Sequence, residues 1–436
     1  MIPGRSRALV RALATFAFFT ALGGQFWRNL LGWWGWGAIA VLTLVAAIVA
    51  IAVLKPGWHW RRVPKSAIAF VLIAALSIAW SAYPAASALG LAALAAPTLV
   101  AGFIGLCLAW DEVVRTLSAA LKWLLALSLA FELWVSVFVR HPLLPNFTDY
   151  SDLDKIPMAF YWSRDLLFAG GPIEGIVASR NLLGMYALVA LIVFSVQLAS
   201  GLVRRGRGIA WVVVAAGVLV LTRSATVLLV GLGVLIALVF VAWARRVGPE
   251  GRRPVYVTAV VVLAALVAAL AAGWNLLLAF FGKSEDLTGR LDIWAGVWGL
   301  IGERPWFGWG WVGYWPPWVE MFGSLAERKG VVYLQAHNAW LDVWMQLGIL
   351  GLIAFFSLVL GTLWRSWFLA VDRPVDGRGA ALPSSAISML PLLVTVALVA
   401  QSLAESRILI EGGWLLLLVF ALVTKRRQWN PEPLPR

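Results

Sequence analysis

Apolar residues run along this chain in stretches long enough to cross a bilayer, and short polar segments separate them. A bilayer core takes about 20 mostly apolar helical residues. Stretches that meet or approach that length are 10–27, 34–54, 66–81, 85–109, 116–139, 179–198, 208–222, 224–243, 255–281, 337–364, 386–404 and 412–424. In lipid only helices and closed barrels satisfy every backbone polar group. The pattern predicts an all-α integral membrane protein of about twelve transmembrane helices, one polytopic domain over 1–436. Arg11 falls inside the first stretch, near its start, and can snorkel to water. No small-residue cleavage site follows; Gly23-Gly24-Gln25-Phe26-Trp27-Arg28 leads into the second stretch. The first is therefore expected to be a retained span.

The intervening segments alternate in charge. One set is basic: Arg5 and Arg7; Lys55, Arg61, Arg62 and Lys65; Arg115; Arg204, Arg205 and Arg207; Arg245, Arg246, Arg252 and Arg253; Arg365, Arg373 and Arg378; and Lys425, Arg426 and Arg427. The other set mixes acids and bases in longer loops. The positive-inside rule then puts both termini in the cytoplasm and the mixed loops outside. Two outside loops are long, 140–178 and 282–336. Within the second, Ile293/Trp294, Val297/Trp298 and Ile301 recur at helical spacing, which predicts an amphipathic helix on the membrane surface ended by Arg304-Pro305.

Composition agrees. The chain is 62% hydrophobic and 13% charged, where a soluble protein carries about 25% charge. Its formal net charge of +14 is gathered in the short loops, as a topology signal rather than a nucleic-acid surface. The one cysteine, Cys107, lies in an apolar run, so neither an internal disulfide nor a cysteine metal cluster is possible.

Candidate chemistry is concentrated outside. Of the three histidines, His59 sits between Trp58 and Trp60 in a basic loop, and His141 opens the first long outside loop. His337 lies where the large loop enters the tenth stretch, in Gln335-Ala336-His337-Asn338-Ala339-Trp340-Leu341-Asp342. On a first helical turn, the positive helix end would keep its ring neutral and able to take a proton from a hydroxyl. The other reading is a capping or interface histidine. Arg180 (followed by Asn181), Arg223 and Arg290 stand on the side where basic residues are disfavoured. A guanidinium fork suits phosphate; each could equally pair with a loop acid such as Asp292 or Glu174, or with a headgroup. Glu132 is an intramembrane acid, with Lys122 one possible partner. Trp306, Trp309, Trp311, Trp315 and Trp318 crowd the large loop and are expected mostly to form an interfacial belt. Gly308-Trp309-Gly310-Trp311-Val312-Gly313 matches a dinucleotide fingerprint in spelling, but neither strand nor βαβ unit surrounds it. No spacing around the histidines suits a metal.

Several segments together resemble the O-antigen ligase and polymerase superfamily. They are Gly289-Arg290-Leu291-Asp292-Ile293-Trp294, Glu303-Arg304-Pro305-Trp306-Phe307-Gly308-Trp309-Gly310, Ala336-His337-Asn338 with Leu341, and Gly348-Ile349-Leu350-Gly351. Ser179-Arg180-Asn181-Leu182-Leu183-Gly184 and Thr222-Arg223-Ser224-Ala225-Thr226 fit its exopolysaccharide-production (ExoQ-like) branch. The resemblance implies a GT-C-like, metal-independent inverting glycosyltransferase of the bacterial inner membrane, with no cofactor. Such an enzyme takes a glycan from undecaprenyl diphosphate in the periplasm. It passes the glycan to lipid A–core or another glycan acceptor as a ligase, or to a lipid-linked repeat as a polymerase. It implies His337 as the catalytic base, Arg223, Arg290 and more loosely Arg180 as diphosphate ligands, and Asn338 and Asn181 as supporting residues. Loop 140–178 is longer and more acidic than the resemblance leads one to expect, which points to a different acceptor. The class left standing beside the enzyme is a transporter or lipid-glycan flippase, which should carry mid-bilayer charges and broken helices.

Overall fold

The computed structural model describes residues 4–57, 59–148, 150, 156–272, 285–323, 325, 327–328, 331–373 and 382–429. The end of the ninth predicted stretch, 273–281, and parts of both long loops lie outside the described residues. A helix occupies each of the twelve apolar stretches. In chain order these are α1 (Gly4–Leu22), α2 (Gly24–Leu54), α3 (Lys65–Leu76), α4 (Pro84–Cys107), α5 (Trp110–Trp134), α6 (Arg180–Ala199), α7 (Arg205–Leu221), α8 (Ala225–Val247) and α9 (Arg253–Ala272). The large loop adds α10 (Glu285–Glu303), the short α11 (Glu320–Gly323) and a two-residue hairpin, β1 (Glu327–Arg328) with β2 (Val331–Val332). Then come α12 (Ala339–Val371), α13 (Leu390–Ser402) and α14 (Glu411–Trp429). Among the described residues six of these, α2, α4, α5 with its π-turn extension to Val139, α6, α8 and α12, are long and apolar enough to cross a membrane. Two shorter apolar segments are Lys65–Trp80 and Ala386–Ser402.

Burial sorts the helices. In α6, 78% of the most apolar window is buried, against 11% in α2 and 22% in α8. The centre of the bundle is therefore α6, and the outer helices turn rows of Leu and Val outward, as lipid-facing helices do. The first turn of the chain comes earlier than its polar residues imply. Gly23 separates α1 from α2, and α2 breaks at Gly32 (φ 71°, ψ −175°). Arg28 is thus helical and buried, paired with Glu411 at 2.5 Å rather than exposed in a loop.

Contacts join segments within each loop set. In the basic set Arg7 binds Glu112 at 2.7 Å, Arg426 reaches the carbonyl of Gly105 at 2.9 Å, Arg245 reaches that of Ala370 at 2.7 Å, and Arg252 pairs with Asp372 at 2.5 Å. In the other set the Ala82 amide donates to Trp309 at 3.0 Å, and the Ile173 amide donates to Leu221 at 3.2 Å.

The large loop folds onto α12 because α12 is broken. Gly348 (φ 64°, ψ −167°) interrupts the helical ladder. The carbonyls of Met345 and Gln346 instead accept from the amides of Trp309 and Gly310, at 3.0 and 2.9 Å, while the Ile349 amide donates to Pro305 at 2.9 Å. The Gln346 side chain accepts from the amides of Val312 and Gly313, both at 2.9 Å. A Cβ on Gly308 would lie 2.5 Å from the Gln346 backbone. The glycine run is therefore a packing seam, not a nucleotide loop.

Two expectations for this loop change. Trp311 and Trp315 are fully buried core residues, while Trp306 and Trp318 are exposed as a belt requires. In α10 the face of Ile293, Val297 and Ile301 packs against Tyr83, Trp315, Phe322 and Met345 rather than lying on lipid, and Trp298 is half exposed.

Gly348→Ala would set a Cβ against the Trp306 backbone in a left-handed conformation that alanine resists. We expect a loss of about 3 kcal/mol or more, read as a melting temperature several degrees lower in detergent. An unchanged melting temperature would mean that α12 is not broken there.

Candidate active site

His337 does not sit on the first helical turn. Asn338 is the N-cap of α12, its Oδ1 accepting from the amides of Trp340 and Leu341 at 3.0 and 3.2 Å. His337 precedes the cap with φ 51°, a left-handed backbone that costs a non-glycine residue about 1–3 kcal/mol. Its neighbours over-determine it. The fully buried Asp342, one turn into α12, accepts from the Ala336 amide at 3.0 Å, from Trp315 Nε1 at 2.8 Å and from the Ser406 hydroxyl. The Ala336 carbonyl accepts from Trp294 Nε1 at 2.9 Å. One carboxylate thereby fastens the segment before α12 to the turn between α13 and α14.

That turn supplies Glu405. Its Oε2 lies 3.0 Å from His337 Nδ1 and accepts from Gln335 Nε2 at 2.9 Å. Its Oε1 accepts from Arg290 Nη2 at 3.4 Å. Gln335 Oε1 in turn accepts from the Ser406 amide at 3.1 Å. The Tyr333 ring meets the His337 ring edge-on at 5.5 Å. The side chains of His337, Arg290 and Glu405 are 15%, 19% and 9% exposed, so the cluster is largely shielded from solvent. Burial pushes the Glu405 carboxyl upward, but His337, Arg290 and Arg407 outweigh it and hold it at about 2. The carboxylate stays ionised at neutral pH. Arg407, two residues on, sits 5.5 Å over the Tyr314 ring. Burial disfavours its charge, yet Tyr314, Glu411 and Glu405 raise its proton affinity.

The remaining arginines stand on neighbouring loops of the same end. Arg223 fills the tight turn between α7 and α8 with φ 47° and is exposed. Its Nη2 lies 3.9 Å from the Cβ position of Gly170. It makes no hydrogen bond or ion pair with His337 or Glu405 among the described residues. Ser224 caps α8 and donates to Asn181 Oδ1 at 2.7 Å, so Asn181 ties the start of α6 to the start of α8. Arg180 opens α6 near Glu174, whose own ion pair is with Arg164 at 3.0 Å. Burial raises Glu174 to about 7, with Arg164 and Arg180 opposing and Glu132 adding to the rise. Between the two groups, Leu182 and Tyr186 of α6, Gln401 of α13, and Arg407 line a cavity of about 20 Å³, room for one water.

Glu132 does not pair with Lys122. It accepts from the amides of Glu174 and Gly175 at 2.9 and 2.7 Å and from Ser163 Oγ at 2.8 Å, pinning loop 140–178 to α5. Lys122 lies instead over the Phe194 and Trp211 rings at 5.6 and 5.7 Å. His141 is exposed, with Nδ1 2.9 Å from the carbonyl of Pro142. Arg290 pairs with neither Asp292 nor Glu174 but with Glu405, 115 residues away. Sequence reading passed over Glu405 and Arg407. The available signal was an acid and a base in a short turn on the outer side. Among the described residues no group of three or more His, Cys, Asp or Glu could hold a metal.

Asp342→Ala strands three buried donors. A loss of at least about 3 kcal/mol is expected, together with release of Ser406 and Ala336 from their present register. Thermal unfolding and crosslinking between residues 336 and 406 measure the two effects. A stable variant with the same crosslink would remove Asp342 from this role.

The sequence model of the O-antigen ligase family matches residues 208–356. This segment runs from α7 into α12 and contains Arg223, Arg290, His337 and Asn338; Arg180, Asn181 and Glu405 lie outside it. No curated protein matches the chain. Members of the superfamily are glycosyltransferase-like ligases and polymerases that work with a lipid-linked glycan and an acceptor. A helical bundle with membrane-length helices is consistent with that match, and residues 208–356 are similar to the O-antigen ligase family.

Proposed function

We propose that this protein is a metal-independent inverting glycosyltransferase of the bacterial inner membrane. It crosses the membrane about twelve times, with both termini in the cytoplasm and the large loop in the periplasm. It moves a glycan from undecaprenyl diphosphate to an acceptor hydroxyl, as an O-antigen ligase does. The observation that supports this reading is the meeting of His337 and Arg290 on one carboxylate, that of Glu405.

The chemistry balances within the site. His337 Nε2 takes the proton of the acceptor hydroxyl. The hydroxyl oxygen forms a bond to the anomeric carbon from the face opposite the leaving group, so the configuration inverts. The bond from that carbon to the diphosphate oxygen breaks, and the electron pair leaves with the polyprenyl diphosphate. Arg290, Arg223 and Arg180 hold the diphosphate and stabilise the charge that grows on it. The diphosphate is already an activated leaving group, so ATP is not required. Asn338 and Asn181 support the site by fixing the starts of α12 and α6.

Transport is the weaker reading. In transporters, a broken helix offers its unwound carbonyls to an ion. Here the carbonyls freed at Gly348 are occupied by amides of the large loop. A polymerase of the same fold differs from a ligase only in acceptor. The match to a ligase family favours transfer to a different acceptor. Purified protein given lipid-linked glycan and acceptor distinguishes these outcomes: one transfer for a ligase, a ladder on the lipid carrier for a polymerase, and no product in detergent for a transporter.

His337→Ala is expected to abolish transfer while the protein still inserts and purifies; near-normal turnover would end its role as base. Arg223→Ala and Arg290→Ala should each lose at least about tenfold in rate, the scale of one charge-assisted contact. Normal donor use by both variants would remove them from the diphosphate site. Activity should persist in excess EDTA, and inhibition reversed by a divalent ion would contradict the metal-independent reaction.

A further inference from the structure

The geometry points to Glu405 as the positioning residue of this site: its carboxylate holds the His337 ring by Nδ1 and Arg290 by the other oxygen, fixing Nε2 as the proton acceptor. This rests on reading His337 as the base. Glu405 lies on the turn between α13 and α14, outside the segment that matches the ligase family.

Each contact constrains a different freedom. A carboxylate only accepts hydrogen bonds, so the 3.0 Å contact places the proton on Nδ1 and leaves the lone pair of the neutral ring on Nε2. The second oxygen is taken by Arg290 at 3.4 Å. Gln335 closes the remaining route: its amide nitrogen donates to Oε2 and its amide oxygen accepts from the Ser406 backbone. The carboxylate can neither rotate nor slide without breaking that clamp. His337 and Glu405 are 68 residues apart, so nothing local in the chain brings them together.

The charges matter as much as the contact. The charged and titratable groups of this cluster are Glu405, Arg290, Arg407, Tyr333 and the more distant Asp342, which acts through Ser406 and Ala336. Two guanidiniums oppose a positive imidazole, and Glu405 is the anion in direct contact with it. As Nε2 takes the acceptor proton, the ring becomes a cation beside a fixed anion. Glu405 accepts no proton itself, as in the carboxylate–histidine pairs of hydrolases. The contact therefore orients the base and stabilises the charge created on it.

Glu405→Gln keeps the shape and removes the charge. Its transfer rate should fall at least about a hundredfold, with donor and acceptor KM changed by less than about threefold. The base must be unprotonated to work, so activity falls as pH drops through the acid limb. Removing the anion weakens proton binding, and the limb should move to lower pH by about one unit. Glu405→Asp should recover part of the rate. A parallel measurement needs no turnover: carbethoxylation of His337 against pH, read by mass spectrometry in a His59→Gln, His141→Gln background. The pH of half-modification should fall by about one unit with Glu405→Gln, and by less with Glu405→Asp, which carries the test if the glutamine variant does not fold. An acid limb and a modification curve identical to wild type would overturn the positioning role. No transfer by the wild type, with the modification curve shifted as expected, would instead fault the glycosyltransferase reading and leave the coupling intact.

Discussion

A backbone carbonyl in a dry interior must find a donor within the protein, and much of this structure follows from how α12 meets that demand. Gly348 breaks the helix and orphans the carbonyls of Met345 and Gln346. The segment around Trp309 and Gly310 supplies the missing amides. The large loop is therefore bonded into the bundle as though it were a further element. Its Trp311 and Trp315 become core, and its glycines are kept small by the close approach of two backbones. The same seam brings α10, and with it Arg290, over the start of α12.

Two buried carboxylates then divide the work at that end. Asp342 accepts from backbone and uncharged side chains, and it joins the segment before α12 to the turn after α13. Glu405 faces the cations and the imidazole. A buried acid surrounded by neutral donors fixes geometry, while one surrounded by cations stays ionised and shapes the local field. Glu132 repeats the first role on the neighbouring loop, where it holds the amides of Glu174 and Gly175. Gly170 is thereby held beside Arg223 and Glu174 beside Arg180.

Particular residues show where sequence reasoning succeeds. The position of His337 beside a helix start was legible, since Asn338 caps the helix that follows it. Arg290 was legible as an outside cation, but its partner was not, since Asp292 is the nearer acid along the chain and Glu405 the nearer in space. Lys122 and Glu132 share one apolar stretch, yet one turns to aromatic rings and the other to a loop. Trp315 reads as an interfacial residue until Asp342 is found to accept its indole proton.

The amino-acid sequence alone determined which stretches are helical and which of the segments between them are basic. Those properties depend on the local balance of apolar area and charge, and each stretch carries that balance within itself. Only the tertiary structure decided which acid meets which base, where α12 breaks and what heals the break. A hydrogen bond needs two atoms within about 3 Å, and that distance between segments far apart in sequence is set by the packing of every helix between them.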